Sequence, residues 1–136
     1  MIIRSPQFTV FQQQADARFI ERVVGELLET DADVVVRFPT YTTTVSEIPY
    51  ETLQFMVTSG IERARSYDMT WESTLVSFVS LMFSVAPNFD EHPLIQRVLK
   101  DPAILPDERI DHLWEKISEK NWQAVEQHYD SSVWGC

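Results

Sequence analysis

TWESTLVSFVSLMFSVA, from Thr70 to Ala86, decides how the rest of the chain is arranged. Wound as a helix, it sets Ser73, Ser77, Ser80 and Ser84 at steps of four, three and four residues, on one narrow stripe. Leu75, Val76, Phe78, Val79, Leu81, Met82, Phe83 and Val85 fill most of the remaining circumference. A helix apolar nearly all round belongs in the middle of a protein. Its small stripe admits a neighbouring backbone, with each hydroxyl bonding back to carbonyls of its own helix. The fold class expected is all-α: a compact bundle of about five helices around a central buried helix at about 70–86.

Upstream, Leu53, Met56, Val57, Gly60, Ile61 and Ala64 form the buried stripe of a second helix. It opens after Ser46 or Ile48, with Pro49 in its first turn and Glu51 near its positive end. Gly60 in mid-helix costs roughly 1 kcal/mol against alanine and so marks close packing. The helix ends near Tyr67-Asp68, and Thr70 is placed as the cap of the central helix. So short a turn makes the two helices antiparallel neighbours, and Gly60 and Ala64 are expected to meet the serine stripe.

Ser5-Pro6 reads as the start of the first helix, which runs over about 6–29. Phe8, Phe11, Ala15, Phe19, Val23 and Leu27 form its apolar face. The segment at about 30–47 is expected to be irregular or to hold short strands. Val34–Val36 and Tyr41–Val45 have strand composition around Phe38-Pro39, but an isolated hairpin is marginal. A turn or helix extension through Val34–Phe38, followed by an extended loop, is the preferred reading. That loop either touches a partner or lids the bundle.

Downstream, Pro87-Asn88 ends the central helix, Pro93 opens a short one, and Asp101-Pro102 breaks it. The acidic pairs Asp90-Glu91 and Asp107-Glu108 suit helix N-termini. The last helix carries Ile110, Leu113, Trp114, Ile117 and Val125 on its apolar side, bends near Asn121 and reaches about His128. A tail follows from about 130. The whole chain, 136 residues, is one domain's worth.

With 21 acidic and 11 basic residues, the formal charge of −10 repels phosphate backbones and argues against nucleic-acid binding. It favours either a basic partner surface or simple solvation. Cys136 is the one cysteine, so no internal disulfide forms, which fits a reducing compartment. MIIRSPQFTVF lacks a signal-peptide core, and the central helix is too short to insert in a membrane. The expected location is cytoplasmic.

No H-E-x-x-H, C-x-x-C, G-x-S-x-G or phosphate-cradling glycine pattern occurs, and His92, His112 and His128 lie more than a helical turn apart. No catalytic, cofactor-binding or metal-binding residue is therefore assigned, and a non-enzyme is expected. The residues left for contact with another protein are Tyr41, Arg63, Arg65, Trp122, Tyr129 and Trp134. Arginines either anchor an interface or pair locally, as Glu62 and Arg65 are spaced to do. Trp134 either folds back onto the bundle or binds a partner.

Gly60-Ile61-Glu62-Arg63-Ala64-Arg65 followed by Tyr67, a helix ending Leu81-Met82-Phe83, then Pro87-x-Phe89-Asp90 and Pro93 together resemble a group of small bacterial helical proteins. Members of that group are often encoded beside type VI secretion spike or toxin components. Phe19–Val24, Asp101-Pro102 and Arg109–Trp114 extend the likeness over about residues 5–125. The 40–45 loop and the tail after Tyr129 depart from it, and Ser80 stands where the group has an acid. The resemblance implies a non-enzymatic accessory: an adaptor or chaperone for a secreted effector, or alternatively an immunity protein for a co-encoded toxin.

Overall fold

A computed structural model describes residues 6–136, with side chains from Asp16 onward. Ser5, read above as a cap, and the apolar residues Phe8, Phe11 and Ala15 lie outside the described residues or side chains. The chain runs α1 (Pro6–Thr30), β1 (Val35–Arg37), β2 (Thr42–Thr44), α2 (Tyr50–Ser66), α3 (Glu72–Ser84), α4 (Pro93–Leu99), α5 (Arg109–Lys116) and α6 (Glu119–Gln127). Single 3-10 turns lie at Val45–Glu47, Phe89–Glu91, Pro106–Glu108 and Ser131–Trp134. The mostly helical fold expected from the pattern is present, with the central helix as α3.

All six residues read as the stripe of α2 are buried: Leu53, Met56, Val57, Gly60, Ile61 and Ala64. They pack on α3, where Leu75, Phe78, Val79, Leu81, Met82 and Phe83 are buried. The seam is not the serine stripe. A Cβ built on Gly60 would lie 2.8 Å from Met82 Sδ and 3.0 Å from Val79 Cγ2. The serines instead run along the outer side of α3, where Ser77 and Ser84 donate to the carbonyls of Ser73 and Ser80. Larger residues won the contact because they remove more apolar area from water. The nearest atom beside Gly60 is a flexible thioether, which can move aside for one methyl, while the stiffer Val79 must give by a few tenths of an ångström. Gly60→Ala is therefore expected to leave stability within about 1 kcal/mol of wild type, its helix propensity offsetting the crowding, whereas Gly60→Leu costs about 1–3 kcal/mol in urea denaturation.

The α2–α3 turn closes as a Schellman motif. Met69 N–H bonds Ala64 O at 3.3 Å and Asp68 N–H bonds Arg65 O at 2.9 Å. Asp68 takes φ 67°, the left-handed conformation that favours glycine. Thr70 does not cap α3. Instead the Asp107 carboxylate accepts from Thr70 N–H at 2.8 Å, Trp71 N–H at 2.9 Å and Thr70 Oγ1 at 3.0 Å. An acid read as serving its own helix thus holds the entry to a different one.

Burial alone would raise the Asp107 pKa, but these donors prevail and hold it below its ordinary 3.8. A depressed carboxylate stabilises the fold above its unfolded pKa, and that contribution is lost as pH falls through the lower folded value. Asp107→Ala is thus expected to cost about 1 kcal/mol at neutral pH and to flatten the acid limb of stability below about pH 4. Urea midpoints across pH 2–7 for both proteins check it; parallel curves would refute it.

Residues 30–47 form the antiparallel hairpin that was disfavoured above, pairing Val35 with Thr44, Val36 with Thr43 and Arg37 with Thr42. Two strands alone are marginal, and the missing stability comes from the bundle beneath. Val36, Phe38, Val45 and Ile48 are buried in the same core as the helices. The expected last helix is two, broken at Ile117 rather than at Asn121, with Ser118 Oγ accepting from Asn121 N–H at 3.2 Å to start α6. Within α5 the buried side is Ile110 and Leu113, and Trp114 is 59% exposed, against its assignment to the apolar side.

Candidate protein-binding face

The six residues singled out above separate into three kinds of environment. Arg63 and Trp134 belong to the interior framework. Arg63 pairs with the buried Asp90 and donates to Pro87 O at 2.7 Å. Tyr67 Oη donates to Asp90 Oδ2 at 2.9 Å. Burial, with the Asp90 carboxylate beside it, pushes the Tyr67 phenol well above its ordinary range, so it acts as a donor at all physiological pH. Asp90, in the 3-10 turn Phe89–Glu91 as its reading at a helix start expects, is also a buried anchor joining α2 to the segment after α3.

Trp134, at 2% exposure, returns to the bundle and packs on Phe83 at 4.9 Å between ring centroids. Its Nε1 donates to Tyr129 Oη at 2.9 Å. Tyr129 in turn clamps the hairpin: its hydroxyl accepts from Arg37 N–H at 3.1 Å and donates to Arg37 O at 3.3 Å. The Arg37 guanidinium lies 4.2 Å over the same ring. The tail therefore welds the hairpin to α3 and is no free anchor.

Arg65, Tyr41 and Trp122 remain at the surface to different degrees. Arg65 pairs with Asp16 of α1 at 3.1 Å, not with Glu62. Such an exposed pair contributes little stability. Tyr41 is exposed and stacks on Phe38 at 5.0 Å. Trp122 is half-buried and lies 5.4 Å from the exposed Trp114. Trp114 was missed as a surface residue because a heptad-like pattern cannot show the helix break that follows it.

Separately, a concavity of about 130 Å³ between α3 and α5 is walled by Trp71, Ser73, Ser77, Ile110 and Asp111. Asp111 and Trp114 are three residues apart on α5, so they share one side of that helix. Trp71 is 55% exposed. The Trp71 indole, the Asp111 carboxylate and the hydroxyls of Ser73 and Ser77 line this concavity, combining apolar area with acceptor groups. Isolated exposed apolar residues are ordinary, but clustered tryptophans mark contact sites.

The fold also brings together His92 and His128, whose rings meet edge to face at 5.5 Å. His92 Nδ1 accepts from Leu94 N–H at 3.3 Å, and His128 Nδ1 bonds Ala124 O at 2.8 Å. Among the described residues, no three His, Cys, Asp or Glu side chains are grouped to hold a metal ion. Burial pushes the Cys136 thiol up from its ordinary value, away from nucleophilic reactivity. No described helix is long and apolar enough to cross a membrane. No family model, curated protein or solved structure matches the chain.

Proposed function

We propose that this chain is a non-enzymatic protein-binding accessory, an adaptor or chaperone that holds a co-encoded type VI secretion effector or toxin in the cytoplasm before export. The observation that supports a binding role is the exposed Trp114 ring, packed on the half-buried Trp122 and sharing a side of α5 with Asp111. Tryptophan is the residue type most often found at interface hot spots. The formal charge of −10 suits a partner with a basic surface. The same charge supports a second reading, an immunity protein that covers the basic active site of a toxin.

The test is co-purification with the product of the neighbouring effector or toxin gene, followed by titration with Trp114→Ala. Truncating a hot-spot tryptophan costs roughly 2 kcal/mol, about a 30-fold loss of affinity. Because Trp114 is mostly outside the core, its thermal midpoint is expected to stay close to wild type. Unchanged affinity removes this face from the interface; recovery of no neighbour-encoded protein refutes both readings. Expression of the toxin with and without this chain separates them, since rescue from toxicity supports immunity. Loss of effector secretion on deletion, without such rescue, supports the adaptor.

A further inference from the structure

We propose that the outer edge of β1 receives an extended segment of the partner protein as a third strand. This rests on the protein-binding reading but names a different surface and a different chemistry. The argument starts from the alternation of backbone groups in the hairpin. Val45 N–H bonds Val34 O at 3.0 Å and Phe38 N–H bonds Tyr41 O at 2.8 Å, so the even positions of this stretch face β2. In an antiparallel ladder the residues between them, Val35 and Arg37, turn their N–H and C=O groups to the opposite edge.

At Arg37 both outward groups are taken by one side chain. The Tyr129 hydroxyl accepts from its N–H and donates to its C=O, doing what a residue of a neighbouring strand does. At Val35 no side chain takes that place: among the described residues neither its N–H nor its C=O has such a partner, and the residue is 57% exposed. An apolar residue on an open strand edge is a pairing template unless something blocks it. Here the block covers only Arg37.

Beside the open position lies a groove of about 480 Å³, lined by Val34, Val35, Phe83, Val85 and Tyr129, with Glu126 among its walls. The cation of the groove, Arg37, is already engaged on the Tyr129 ring. Asp33 precedes the strand and is exposed. The occupant that matches is an extended peptide placing β-branched or other apolar side chains in the groove and a lysine or arginine near Glu126 and Asp33. Main-chain hydrogen bonds then supply affinity, and alternate side chains supply specificity, as in other strand-addition complexes.

The probe is a capped hexapeptide of alternating valine and lysine, titrated into the 15N-labelled full chain. Saturable shifts centred on Val34, Val35 and Val85 are expected, with exchange of the Val35 amide proton slowed at least about tenfold at saturation. Val35→Pro removes the N–H and is expected to abolish the saturable shifts at Val34 and Val85. Should that variant fold poorly, the wild-type chain titrated with the same peptide N-methylated at every residue serves instead, and no binding is expected. Absence of saturable shifts, an unprotected Val35 amide at saturation, or equal binding of the N-methylated peptide would overturn the proposal. A partner that co-purifies equally well with Val35→Pro would also overturn it, while leaving the protein-binding reading intact.

Discussion

Asp90→Ala is expected to cost about 3–5 kcal/mol, a large part of the stability of a domain this size. Asp90 is 3% exposed, and removing its carboxylate strands two groups at once. The Arg63 guanidinium is left with only Pro87 O, and the Tyr67 hydroxyl loses its best acceptor. A buried charge without its partner is far more harmful than the pair is helpful. Urea denaturation monitored by tryptophan fluorescence measures the effect, and a loss below about 1 kcal/mol would show that water replaces the carboxylate. The triple change Asp90→Leu with Arg63→Met and Tyr67→Phe removes all the polar groups together. It is expected to recover most of the loss, because apolar replacements of similar volume leave nothing unsatisfied.

Trp134→Ala is expected to cost about 3–5 kcal/mol as well, through a different mechanism. The indole is nearly fully buried against Phe83, and its removal leaves a cavity under the hairpin in addition to the lost transfer energy. The same change takes a donor from Tyr129 Oη, whose contacts to Arg37 hold β1 in place. The unfolding midpoint should therefore fall while amide exchange at Val36 and Thr43 rises more than at Val57 or Val79. Trp134→Phe keeps the ring but not the N–H, and is expected to lie between the two proteins. Uniform loss of protection across the chain would refute the claim that the tail acts through the hairpin. Truncation after Asp130 should reproduce the alanine phenotype, a structural rather than an interfacial one.

Legibility varied with how local the determining force was. The stripe of α2 was readable because helical period and burial coincide residue by residue from Leu53 to Ala64. The start of α4 at Pro93 was readable because proline fixes its own φ. The break at Ile117 was not, since Ile110, Leu113 and Ile117 continue a helical spacing straight across it. Trp114 consequently changed from a core residue to the most exposed tryptophan of the chain. Among the residues put forward for partner contact, Tyr41 and Trp122 keep exposed or half-exposed rings, while Arg63 is held by Pro87, 24 residues away in sequence, and Trp134 packs on the still more distant Phe83 of α3. No local pattern encodes such pairings.

A mostly helical chain with an apolar central helix and a close contact at Gly60 follows from propensity and periodicity, which act within a few residues. Long-range packing decided that large side chains rather than serines form the α2–α3 seam. It also decided that Asp107 holds the entry to α3 and that a marginal hairpin persists. The reason is common to all three. Each depends on which distant group arrives to bury apolar area or to satisfy a backbone donor, and that is settled by packing, not by the residues' own neighbours in the chain.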